Sequence, residues 1–132
     1  MEWELIIKLT IPGTLPGLNE YINANRRNKY SAAKLKKDTE FRLYLLIKQQ
    51  IPGVRIANPI SLSFRFYEPN GRRDPDNVSS LFRKMFLDSL VKAQVIKDDG
   101  QRYIKGFKDD FFVDKDYPRV EVTITESQEE PK

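Results

Sequence analysis

The chain has 132 residues, 39% of them hydrophobic and 32% charged, with a formal net charge of +4; this fits one globular domain and excludes a membrane-spanning helix, since no apolar run approaches the ~20 residues of a span. It contains no His and no Cys, which removes imidazole and thiolate nucleophiles, a Ser-His-Asp triad and zinc sites of the Cys/His type. Carboxylate and lysine chemistry remain.

The start, Met1-Glu2-Trp3-Glu4, lacks the basic opening and apolar core of a signal peptide, so the cytoplasm is the expected location. Trp3, Leu5, Ile7, Leu9 and Ile11 alternate with Glu4, Ile6, Lys8 and Thr10, the period-two pattern of a strand with one buried face. Pro12, Gly13, Pro16 and Gly17 end it. From Leu18 to Tyr30, four Asn and two Arg read as an extended loop, and Ser31 is placed to cap a helix running to about Gln50 with Leu35, Phe41, Leu45 and Leu46 as its apolar stripe. Between Tyr21 and Lys37 there is no acid, whereas Arg26, Arg27, Lys29, Lys34, Lys36 and Lys37 all fall there. Such a run predicts a polyanion-binding face, and a solvated loop and helix surface accounts for it equally well.

Ile51-Pro52-Gly53 closes the helix, after which Ile60, Leu62, Phe64 and Phe66 alternate with Ser61, Ser63, Arg65 and Tyr67 in a second strand. A turn at Pro69-Asn70-Gly71 leads to a helix starting at Asp74, where Pro75 suits the first turn and Val78, Leu81, Phe82, Met85, Leu90 and Val91 recur at helical spacing. Beyond the loop Lys97 to Gly100, two further strands are expected near Arg102 to Lys108 and Arg119 to Thr125. This order predicts an α+β fold: a single domain over residues 1–126 with two helices packed on a mixed sheet, followed by a frayed polar tail at 127–132.

The chemistry concentrates in Arg72-Arg73-Asp74-Pro75-Asp76-Asn77 and Lys97-Asp98-Asp99-Gly100. Each has an ordinary use: Asp74 caps the helix, Asp76 complements its positive end, and the second run makes a turn. Carboxylates are also hard ligands that suit Mg²⁺ or Mn²⁺. A helix of four to five turns separates the two runs by ~25 Å, so the chain has to return along the sheet for Asp99 to approach Asp74. Lys84 shares a helix face with Asn77 and Asp88, either as a partner of Asp88 or directed at a phosphate.

Taken together, Arg73-Asp74-Pro75-Asp76-Asn77, Lys84, Leu87-Asp88-Ser89-Leu90 and Val95-Ile96-Lys97-Asp98-Asp99 resemble the RusA-type Holliday junction resolvases, crossover junction endodeoxyribonucleases common in phages and prophages. The likeness runs from Leu15-Pro16-Gly17-Leu18-Asn19 to the strand ending near Thr125. It implies a RusA-like homodimer that serves DNA recombination and repair by cutting four-way DNA junctions with paired symmetric nicks, using Mg²⁺ with Mn²⁺ as a substitute. Asp74, Asp76 and Asp99 would hold the metal, Lys84 would join them in catalysis, and Arg72, Arg73, Asn77 and the basic run would hold DNA. The family lysine sits in some members one helical turn nearer the asparagine, where this chain has Ser80. Two rivals stay open: a non-catalytic nucleic-acid-binding protein with Tyr21 and Tyr30 stacking on bases, and a metal-dependent nuclease of branched or flap DNA without junction selectivity.

Overall fold

Seven elements follow one another in the computed structural model, which describes residues 5–127: β1 (Ile6–Pro12), α1 (Leu18–Arg27), α2 (Lys29–Gln50), β2 (Ile60–Glu68), α3 (Pro75–Lys92), β3 (Ile104–Val113) and β4 (Arg119–Glu126). The chain is thus a single α+β domain, with a four-stranded mixed sheet and three helices rather than two. Trp3 and Glu4, assigned to the first strand by their alternation, and most of the expected tail at 127–132 lie outside the described residues.

The additional helix is α1, in the segment whose asparagines read as a loop. Gly17 caps it, Glu20 falls in its first turn and accepts from Gly17 N at 3.4 Å through Oε1, and Arg26 and Arg27 occupy the last turn, where cations complement the dipole. Asn28 then caps α2, accepting from Ser31 N at 2.7 Å, so the helix starts at Lys29 instead of after Ser31. Its apolar stripe also differs from expectation: Ala32, Leu43 and Ile47 are buried, whereas Phe41 and Leu45 face solvent.

β2 forms as its alternation predicts. Ile60, Leu62, Phe64 and Phe66 are buried against the helical layer, where Phe64 and Phe66 meet Phe82 edge-on at 5.6 and 5.5 Å and Phe64 meets Phe86 at 5.9 Å. Each such side chain contributes about 1.5–3 kcal/mol on burial, with roughly 0.5–1.5 kcal/mol more from an edge-to-face pair. The sheet order is β1-β4-β2-β3. β2 runs parallel to β3 through the α3 crossover, and β4 is antiparallel to both β1 and β2. β3 is longer than expected, extending to Val113, and forms one edge of the sheet. No helix among the described residues is long and apolar enough to cross a membrane.

Candidate functional site

The start of α3 is a corner where three distant segments meet. Asp74 caps the helix, its Oδ1 accepting from Asn77 N at 2.8 Å, and Pro75 occupies the first turn as the sequence requires. Arg73 donates in a fork to Glu68, Nε to Oε1 at 2.6 Å and Nη2 to Oε2 at 2.9 Å, while its Nη1 reaches the Leu15 carbonyl at 3.0 Å and Glu20 Oε1 at 3.3 Å. Bidentate pairing of this kind fixes orientation as well as charge. Asn77 is 6% exposed, and its Oδ1 accepts from Asn19 N at 2.7 Å, tying the first turn of α1 to that of α3. Gly17 completes the junction: a Cβ there would lie 2.6 Å from the Asn77 carbonyl oxygen and 2.8 Å from Arg73 Nη1. The requirement is for space, since the φ of Gly17 is −96°.

Arg73 and Asn77, which the resemblance assigns to DNA, are therefore engaged within the protein. Arg72 is different: its side chain is exposed and makes no ion pair among the described residues. Asp76 is exposed too, with no hydrogen bond or ion pair to its carboxylate among the described residues, while its carbonyl accepts from Ser80 Oγ at 2.7 Å. Ser80 in this way completes the local turn at the alternative lysine position.

Asp99 does return toward α3, but it reaches the middle of the helix. Its Oδ2 is 3.7 Å from Lys84 Nζ, which also stands 3.3 Å from Asp88 Oδ1 one turn further on. Lys84 lies eight residues beyond Asp76, about 12 Å along the axis. The hydrogen bond with Asp88, and then the charges of Asp88 and Asp99, raise the Lys84 ammonium above its ordinary pKa, so it remains a cation at neutral pH. Magnesium needs oxygen donors gathered round one point. Among the described residues no group of three or more Asp or Glu lies close enough to hold a metal ion. Asp74, Asp76 and Asp99 have the right donor chemistry and do not fit a shared ion in this arrangement.

The basic run divides as well. Lys34 pairs with Asp38 at 2.7 Å and Lys36 with Glu40 at 3.8 Å, both one helical turn on in α2. Arg26, Arg27, Lys29 and Lys37 are exposed and carry no ion pair among the described residues. With Tyr30, which is 76% exposed, they form a cationic ridge across the end of α1 and the start of α2. Tyr21 lies on the inner side of α1, packed against the core.

Sequence reasoning missed the partners that hold the corner: Glu68, Glu20, Asn19 and the Leu15 carbonyl. Only the Gly17 to Glu20 spacing carried a local signal, that of a helix start. It also missed Arg83, which donates to Asp109 Oδ2 at 3.0 Å and lies over the Phe107 ring at 5.2 Å, linking α3 to β3. Burial pushes the Asp109 carboxyl above its ordinary pKa, and the Arg83 charge opposes that rise. No family model and no curated protein matches the chain.

Proposed function

We propose that this chain is a structure-selective endodeoxyribonuclease that resolves four-way DNA junctions by phosphodiester hydrolysis, two copies nicking strands of like position. The observation that carries the reading is the link between corner and ridge. One end of α1 is docked on the Asp74 to Asn77 turn through Asn19, and its other end bears Arg26 and Arg27. Ten residues of helix span about 15 Å, the rise of four to five nucleotides along one strand. A strand held by its phosphates on the unpaired cations of the ridge would pass the exposed Asp76, with Arg72 beside it.

In this reading Arg26, Arg27, Lys29, Lys37 and Arg72 take phosphates. Arg73 and Asn77 are positioning residues, and Lys84, fixed as a cation, sets the place of Asp99. Magnesium, with manganese as a substitute, enters through the resemblance alone. That the three carboxylates are not gathered favours a second reading, a junction-binding protein without cleavage, in which the ridge does all the work.

A labelled mobile four-way junction and a linear duplex of the same sequence, each with Mg²⁺, separate these readings when wild type is run beside Asp76→Asn. The Asp76 side chain is exposed and has no hydrogen bond or ion pair to lose among the described residues, so this variant keeps the fold. Paired nicks in the junction alone, abolished by the substitution, are expected. Nicks in both DNAs would identify an unselective nuclease, and binding without nicks by either protein would overturn catalysis in favour of the second reading.

A further inference from the structure

α3 ends in a Schellman turn: Val95 N donates to the Leu90 carbonyl and Gln94 N to the Val91 carbonyl, both at 2.9 Å. The residue after the cap takes the left-handed conformation that glycine ordinarily fills, and here it is Gln94, at φ 62°. A side chain in that place costs free energy that glycine would not, and such outliers persist where the side chain is put to use. What this one adds is a hydrogen bond, its Oε1 accepting from Arg55 Nη2 at 3.1 Å.

Arg55 and Gln94 line an open basin of about 730 Å³ at the end of α3, about 27 Å along the helix from the Asp74 corner. Its floor is apolar, with Ile56, Val95 and Ile96 buried and the Tyr103 ring partly covered beside them. The charged groups that line it are both cations, Arg55 and Lys97, each exposed and without an ion pair among the described residues. No carboxylate of the chain is spent on them, so their charge faces outward over an apolar surface. We propose that this basin docks an acidic segment of a partner protein, its carboxylates on Arg55 and Lys97, an apolar side chain on the floor below, and Gln94 holding Arg55 in place. The two chemistries are needed together: carboxylates complement the cations, and an aliphatic or aromatic side chain removes the floor from water. A nucleic-acid strand meets only half of this. Its phosphates suit the cations, but its backbone has nothing apolar for the floor, and the Tyr103 ring on which a base could stack already has the Arg102 guanidinium over it at 5.7 Å.

The site stands apart from the corner and the ridge and does not rest on the nuclease reading. The probe is a fluorescein-labelled nonapeptide with Ile-Leu-Phe between two runs of three aspartates, titrated with the full chain and read by anisotropy. Wild type is expected to bind it at least tenfold more tightly than the same peptide with three serines at its centre. The double reversal Arg55→Glu/Lys97→Glu, checked as folded by circular dichroism, should weaken binding at least tenfold, while alanine at Arg26, Arg27 and Lys29 together should leave it unchanged. Gln94→Gly relieves the left-handed backbone and releases Arg55, so its Tm should rise while its affinity for the peptide falls about threefold; a merely structural glutamine would move the first and not the second, and unchanged affinity would overturn the part given to Gln94. No binding by wild type, equal binding of the serine peptide, or binding that survives the double reversal would overturn the proposal. So would loss of binding in the triple alanine variant, which would move the peptide to the ridge, or a nine-nucleotide oligothymidine that binds more tightly than the peptide and is released by the same reversal, which would give the basin to nucleic acid.

Discussion

The corner at the start of α3 and the ridge formed by α1 and α2 are made of the same kinds of residue, yet they do opposite things with them. At the corner, Arg73 and Asn77 are largely buried and held by protein partners: the Arg73 guanidinium by Glu68, Glu20 and the Leu15 carbonyl, and Asn77 Oδ1 by Asn19 N. On the ridge, Arg26, Arg27, Lys29 and Lys37 have no ion pair among the described residues. Burial decides the difference, because an inward polar group without a partner costs free energy that an outward one recovers from water. A motif residue that resembles a DNA ligand is in this chain a structural tie when it lies inside, and available to a polyanion when it lies outside.

That contrast breaks first at Arg73. Arg73→Ala strands the Glu68 carboxylate, 13% exposed, and frees the Leu15 carbonyl, so urea unfolding should show a loss of about 3 kcal/mol, with Arg73→Lys recovering little because an ammonium cannot make the fork. Gly17→Ala pushes a methyl into the Asn77 carbonyl and the Arg73 guanidinium, and a thermal melt should report about 2 kcal/mol of destabilisation. Away from the corner, Arg83→Ala leaves Asp109 without its cation and should cost about 1–2 kcal/mol at neutral pH. Because the folded-state pKa of Asp109 is raised, the folded protein binds that proton more tightly than the unfolded chain does. The loss in Arg83→Ala should therefore shrink as pH falls through that folded value, where the carboxyl is neutral with or without Arg83. Denaturation at stepped pH checks the sign. Smallest is the effect of replacing Arg26, Arg27 and Lys29 together by Ala, which should change stability by no more than about 0.5 kcal/mol.

How legible these regions were follows from how local their causes are. β2 and α3 declare themselves, since alternation from Ile60 to Tyr67 and the helical recurrence from Val78 to Leu90 are each set by one buried face. Asp74 and Pro75 mark the start of α3 for the same reason. α1 was hidden by asparagines that favour turns, and it is held instead by docking through Asn19, 58 residues from Asn77. The α2 stripe was misjudged because Phe41 and Leu45 are apolar yet face outward, while Ala32 packs inward. The carboxylates could be named from the chain, but not that the loop after α3 brings Asp99 back beside Lys84, midway along the helix, rather than to its start. Likewise, the basic run looked uniform until α2 supplied Asp38 and Glu40 as partners for Lys34 and Lys36.

The most direct test of the division between corner and ridge is the salt dependence of binding to a labelled four-way junction, measured by fluorescence anisotropy without divalent cation. With Arg26, Arg27, Lys29, Lys37 and Arg72 each on one phosphate, log affinity should fall against log salt with a slope of about −4.5, and the triple alanine variant at Arg26, Arg27 and Lys29 should flatten it to about −1.8 while keeping wild-type stability. An unchanged slope in that variant would contradict the account, because the phosphates would then be held somewhere other than the ridge.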